Sequence, residues 1–243
     1  MLKLGQMKII CQSFVVRNTF THTRKPMSGP LDRVLNSGIV AILRAPSGEL
    51  LVDVAEALLA GGVEAIEVTF TVPRADRVIE KVAEKLGDRI VLGAGTVLDA
   101  ETARVAILSG AQYIVSPTVN LDVIRMCKRY SKLAMPGALT PTEIVTAWEA
   151  GADVVKIFPS DIGGAKYLKA VKAPLPHIRM MPTGGVTLET APDFLAAGAC
   201  ALGIGGNLVE QAAMQARDFN RITTLARQFV EVVRQFRNGK TAV

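Results

Sequence analysis

From residue 38 onward, short apolar, β-branched runs alternate with longer stretches in which apolar residues recur every three or four positions. The first pattern is that of a buried strand, the second that of an amphipathic helix. Together they predict strands over 38–43, 64–69, 89–94, 112–115, 132–135, 153–158, 178–181 and 199–203. They predict helices near 49–60, 74–86, 99–109, 120–130, 141–150, 164–172, 188–197 and 218–236. Asp99, Asn120 and Thr140 each stand just ahead of an apolar-periodic stretch, where helix N-caps belong. Thr140 is followed by Pro141 and then Glu143, a capping-box pattern.

A small repeat marks four of the helix-to-strand turns. It reads LLAGGVEAIEV at 58–68, ILSGAQYIV at 107–115, AWEAGADVVKI at 147–157 and FLAAGACALGI at 194–204. The glycine supplies a left-handed residue that stops the helix, and its small neighbour lets the chain enter the next strand. Eight strand–helix pairs in one chain, with strands that are nearly all apolar, predict an α/β fold: a closed (β/α)₈ TIM barrel forming a single domain over 31–243. The rival is a doubly wound open sheet, which carries a glycine-rich first turn. Here the segment after the first strand reads RAPSGE, without a G-x-G-x-x-G.

Charge changes the picture once it is located. The formal net charge is +6, from 28 Lys+Arg and 22 Asp+Glu. Residues 1–30 hold Lys3, Lys8, Arg17, Arg24 and Lys25 and no acid, so the body keeps 23 basic residues against 22 acidic ones. A body so close to neutral argues against nucleic-acid binding. The basic N-terminal extension reads either as an organelle transit peptide or as sequence upstream of a start at Met27; the second reading is preferred.

Other totals narrow the function. No apolar run reaches the roughly 18 residues of a membrane helix, so no membrane partner is expected. Three widely spaced cysteines, Cys11, Cys127 and Cys200, suit a reduced cytoplasmic location better than a disulfide framework. Two histidines, His22 and His177, rule out a metal site built on several histidines, while a carboxylate Mg²⁺ site stays open. His177 reads as a surface residue, Trp148 as core, and Cys127 and Cys200 as small buried hydrophobes.

Barrel enzymes place chemistry at the C-terminal ends of the strands. The polar residues there are Arg44, Glu67, Thr69, Thr71, Thr96, Ser116, Lys156, Ser160, Thr183 and Asn207. Lys156 sits inside VVKIF, where burial lowers an amine's pKa and leaves it free to attack a carbonyl. Glu67, inside AIEVTF, is a lone charge in an apolar strand and a candidate acid/base. The alternative for both is a structural ion pair; alternation over so few positions does not fix which way either faces. PTGGV at 182–186 and GIGGN at 203–207 follow the seventh and eighth strands, where barrels bind phosphate through backbone amides and a helix N-terminus. The alternative is a pair of tight turns that only need glycine.

Taken in order, IVAILRA (39–45), GGVEAIEVTFTVP (61–73), GAGTV (93–97), IVSP (114–117), MPGALTPTE (135–143), VVKIFPS (154–160), PTGGV (182–186) and GIGGNLV (203–209) resemble one family. It is that of the class I 2-keto-3-deoxy-6-phosphogluconate (KDPG) and 4-hydroxy-2-oxoglutarate (KHG) aldolases. The resemblance spans roughly residues 35–210. It implies that Lys156 is the Schiff-base lysine and Glu67 the general acid/base. It places Arg44, Thr96, Pro117 and Thr183 at the substrate and Gly184, Gly185, Gly205, Gly206 and Asn207 at its phosphate. Some members carry arginine where this chain has Thr71; Arg44 is expected to supply that charge. The implied substrate is a small 2-keto acid or sugar-acid phosphate, with no cofactor and no metal, and the implied assembly is a homotrimer. A 2-keto-3-deoxy-6-phosphogalactonate aldolase, a phosphate-binding barrel isomerase or synthase, and a non-catalytic phosphosugar binder are the alternatives.

Overall fold

The computed structural model describes residues 29–239, so the expectation for the basic extension lies almost wholly outside the described residues. The strands are β1 (Ile39–Leu43), β2 (Ala65–Thr69), β3 (Val91–Gly95), β4 (Tyr113–Val115), β5 (Leu133–Met135), β6 (Gly137–Ala138), β7 (Val155–Ile157), β8 (Met180–Pro182) and β9 (Leu202–Ile204). All their pairings are parallel, in the orders β5-β4-β3-β2-β1-β9 and β6-β7-β8. Pro136 has no N–H to donate, and it splits one strand position into β5 and β6. Its carbonyl still accepts the Lys156 amide at 2.9 Å. A Thr183–Gly203 bridge and the Cys200 N–H to Met180 oxygen bond, 2.9 Å, join β8 to β9. The ring closes, and the eight-position (β/α)₈ barrel that the pattern predicts is the fold observed.

The helices are α1 (Pro30–Ser37), α2 (Leu51–Ala60), α3 (Ala75–Leu86), α4 (Ala100–Leu108), α5 (Leu121–Arg129), α6 (Pro141–Glu149), α7 (Gly164–Lys172), α8 (Ala191–Ala196), α9 (Gln211–Gln215) and α10 (Phe219–Arg237). The caps act as their residue types dictate. Asp99 accepts the Thr102 amide at 2.6 Å, Asn120 accepts those of Asp122 and Val123, and Thr140 with Glu143 closes a full capping box. Gly62, Gly110, Gly151 and Gly198 all take positive φ, between 93° and 111°, so each of the four repeats turns on its glycine. No described helix is long and apolar enough to cross a membrane.

Three features escape the periodicity. α1, of eight residues, barely completes two helical turns, and α9, of five, does not complete them. The third strand begins at Val91 and not at 89, because Gly87–Arg89 forms a 3₁₀ turn in which Arg89 donates to the Lys85 and Leu86 carbonyls.

Side chains alternate between two cores. Ile39, Ala41, Leu43, Ile66 and Val68 pack outward against the helices. Val40, Ala65, Val91, Tyr113, Val115, Met135, Val154, Met181 and Ala201 fill the barrel interior, and Val34 and Leu31 of α1 pack against them. Period-two alternation then carries Ile42, Glu67, Lys156, Thr183 and Gly203 to the same interior, toward the C-terminal ends of their strands. That settles the facing of Glu67 and Lys156, which the sequence of so short a strand leaves open.

Candidate active site

Glu67 on β2 is 1% exposed and Lys156 on β7 is 6% exposed. Burial disfavours the charged form of each. It pushes the Glu67 carboxyl up, against the pull of Lys156 and then Arg44, and it pushes the Lys156 ammonium down, against the pull of Glu67. The two groups therefore hold their protons less unequally than a carboxylic acid and an alkylamine do in water. Neither carboxylate oxygen of Glu67 has a hydrogen-bond partner. Lys156 Nζ lies 4.9 Å from the centroid of the Phe158 ring, a weak cationic contact that leaves its donors uncommitted. An amine that sheds its proton readily, beside a carboxyl available to move one, suits attack on a carbonyl carbon.

The room for this pair comes from glycine. A Cβ on Gly95 of β3 would stand 2.0 Å from Glu67 Oε1, and a Cβ on Gly93 would stand 2.2 Å from the ring of Tyr113. The GAG of the third strand is thus a trough for two large interior side chains. Tyr113 lies in the barrel core with its hydroxyl buried and unpartnered.

Above Lys156 a cavity of about 650 Å³ opens at the C-terminal ends of the strands. Its wall brings together Arg44, Thr71, Lys156, Phe158 and the loops with Thr183, Gly184, Gly185, Gly205, Gly206 and Asn207. Arg44 and Thr71 share that wall. Thr71 Oγ1 lies 2.8 Å from Thr69 Oγ1, which donates to the Leu43 carbonyl at 3.0 Å. Thr183 Oγ1 is buried and unpartnered, and a Cβ on Gly203 would stand 2.2 Å from it.

The two glycine loops are tied to each other and to β7. Ser160 donates its hydroxyl to the Gly184 carbonyl at 2.5 Å and its amide to the Thr183 carbonyl at 3.0 Å. Asn207 donates its side-chain amide to the Val186 carbonyl at 2.9 Å, so this residue braces the loops while lining the cavity. The anion site differs from the sequence expectation in one respect. Neither glycine loop runs straight into a helix: α8 starts at Ala191 and α9 at Gln211, and both are short. The loop backbone is what faces the cavity. Gly184 and Gly185 have φ of 99° and 70°, a conformation that favours glycine.

Thr96 and Pro117, at the ends of β3 and β4, are half-buried and stand outside the cavity wall. Thr96 takes a left-handed φ of 56°. The sequence reading misses Tyr113, whose strand reads only as apolar, and the spacing roles of Gly93 and Gly95. The period-two rule, with Glu67 already singled out, is the one signal that pointed to them. His177 is exposed and meets Trp148 edge-on, and Cys127 is buried, as expected; Cys200 is only half-buried.

Residues 32–225 match the family model described as KDPG and KHG aldolase. The chain is 37% identical to the 2-dehydro-3-deoxy-6-phosphogalactonate aldolase of Escherichia coli, over 74% of this chain and 92% of that one. It is 36% identical to the 2-dehydro-3-deoxy-phosphogluconate aldolase of Treponema pallidum, over 84% and 95%. Among solved structures, a native KDPGal structure superposes with a TM-score of 0.77 at 33% identity, covering 82% of this chain and 96% of that one. A Legionella pneumophila KDPG aldolase, holding pyruvate as a covalent carbinolamine, superposes with a TM-score of 0.76 at 25% identity, over 82% and 97%. With a family match over most of its length and a barrel that encloses a buried lysine and glutamate, this chain is a member of the KDPG and KHG aldolase family, a carbon–carbon lyase.

Proposed function

We propose that this aldolase works through a Schiff base on Lys156, cleaving KDPG to pyruvate and glyceraldehyde 3-phosphate and KHG to pyruvate and glyoxylate. The observation that carries the reading is the burial of Lys156 and an unpartnered Glu67 inside one barrel, beneath a cavity lined by Arg44 and two glycine loops. Arg44 meets the anionic substrate and the loop amides meet its phosphate.

Lys156 Nζ attacks the C2 ketone to give a carbinolamine, which loses water to a protonated imine. Glu67, as carboxylate, takes the C4 hydroxyl proton. The C3–C4 bond breaks, its electrons pass to the imine as an enamine, and the aldehyde leaves. The enamine then takes a proton at C3, and water releases pyruvate and the free amine. The cationic imine is the electron sink, so the chain's own residues complete the cycle. Treating the protein with pyruvate and borohydride, then mapping peptides, tests this. Label is expected on Lys156 and none in Lys156→Met; label on a different lysine overturns the assignment.

A second reading, cleavage of the phosphogalactonate epimer, is favoured by the 37% identity to the E. coli enzyme of that name. Pyruvate release from the two C4 epimers, compared by kcat/KM, separates the readings.

We further infer a homotrimer in the cytoplasm. A designed protein cage built by fusing symmetric oligomeric domains superposes on this chain with a TM-score of 0.77 at 33% identity. The outward face of α4, AETARVAIL, leaves Val105 43% and Leu108 68% exposed. Cys127 and Cys200 are both free thiols, which suits a reducing compartment.

A further inference from the structure

In the strand register Glu67 stands opposite Gly93, and Gly93 opposite Tyr113. All three belong to the face that points into the barrel. Neighbouring strands are about 4.8 Å apart, so the backbones of Glu67 and Tyr113 are about 10 Å apart with one residue between them. That residue has no side chain, and the tyrosine occupies its place. A Cβ on Gly93 would stand 2.2 Å from both Cε2 and Cζ of Tyr113. Those are atoms at the hydroxyl end of the ring. The ring is thus laid across β3, and its oxygen extends beyond Gly93 toward β2 and Glu67. The Glu67 side chain leans the other way along the barrel, over Gly95, so its carboxylate lies on the cavity side of the phenol.

Three buried polar atoms lie in this part of the barrel, Tyr113 Oη and Glu67 Oε1 and Oε2, and none has a protein hydrogen-bond partner. A phenol in this position is not needed for packing, since phenylalanine fills the same trough. Buried polar atoms left without partners are rare, and a cluster of them is the setting in which a buried water makes its two to four bonds. We propose that Tyr113 is a positioning residue for Glu67: its hydroxyl donates through one buried water to the carboxylate and favours the ionised form that takes the C4 proton. This rests on the reading of Glu67 as the acid/base. Burial and the nearby carboxylate both push the phenol up, so it keeps its proton and stays a donor.

The test is the pH dependence of kcat/KM for KDPG cleavage in wild type, Tyr113→Phe and Glu67→Gln. Tyr113→Phe removes one oxygen. A donor lost from the ionised form raises the carboxyl's pKa. The acidic limb is therefore expected to move up by on the order of one pH unit, with kcat down several-fold below neutrality and KM within about twofold. A limb that stays in place in Tyr113→Phe but vanishes in Glu67→Gln overturns the positioning role and leaves the acid/base reading standing. A limb that survives Glu67→Gln overturns both. As a check needing no Tyr113 variant, ¹³Cζ-tyrosine NMR of the wild type is expected to show one resonance that follows the acidic limb and loses that response in Glu67→Gln. A tyrosine spectrum indifferent to Glu67 overturns the proposal.

Discussion

Gly95 lies against Glu67 so closely that a Cβ there would stand 2.0 Å from the carboxylate oxygen Oε1, 2.5 Å from Cδ and 2.8 Å from Cγ. Three atoms of one side chain would have to shift, so Gly95→Ala turns the carboxylate away from its position. A displacement of about 1 Å at a reacting group costs on the order of 10²-fold. We expect kcat/KM of Gly95→Ala to fall by about that factor, with the fold intact and borohydride still labelling Lys156 in the presence of pyruvate. Wild-type activity in Gly95→Ala would show that the carboxylate's place does not matter.

How much of this was legible in sequence depends on the range of the interaction. The barrel was legible because each strand and helix announces itself in local periodicity, and the capping box at Thr140 and the left-handed glycines at 62, 110, 151 and 198 are local chemistry. Lys156 and Glu67 were legible as charges in apolar strands. The relation of Gly93 and Gly95 to side chains on the neighbouring strands was not. It exists only through the register, which one strand's sequence does not encode. The same holds for Asn207, whose side chain bonds the Val186 carbonyl on another loop. The split at Pro136 was readable in principle from a proline inside a central strand position. Arg44 was legible as a polar residue at the C-terminal end of a strand, and the family resemblance added only its expected role.

Thr183 carries a buried hydroxyl with no protein partner, at the edge of the cavity. Keeping an unsatisfied polar atom there costs stability that a substrate bond recovers only in the complex. Thr183→Val keeps the shape and removes the atom. Its urea-unfolding free energy is expected to rise by about 1 kcal/mol, while KM for KDPG rises several-fold. A variant that is both less stable and unimpaired would show the hydroxyl to be structural.

Imine formation needs the unprotonated amine of Lys156. Burial lowers its pKa below the ordinary lysine value, and the Glu67 carboxylate opposes that shift. The rate of borohydride-trappable adduct formation with pyruvate is expected to rise with pH at a midpoint below that of a free lysine. In Glu67→Gln the opposing carboxylate is gone, so the midpoint moves lower still. Stability has the matching sign. Between the folded and unfolded pKa values the unfolded chain binds more protons at this site, so folding stability rises with pH across that window. Lys156→Met removes this contribution. A midpoint that moves up in Glu67→Gln contradicts the proximity of the two groups.

The outward face of α4 makes the quaternary proposal testable without touching the site. Glu101, Val105 and Leu108 follow one another at helical spacing, and two of the three are apolar and exposed. Across a trimer interface each such side chain is buried, at roughly 1.5–3 kcal/mol per fully covered Leu or Val. Leu108→Glu puts a charge where an apolar contact is expected. Sedimentation velocity at micromolar concentration is expected to show a trimer for wild type and a monomer for Leu108→Glu, with unchanged circular dichroism. Lys156 and Glu67 come from the same chain, so the monomer is expected to keep its borohydride labelling by pyruvate. A Leu108→Glu variant that sediments as wild type places the interface on another face.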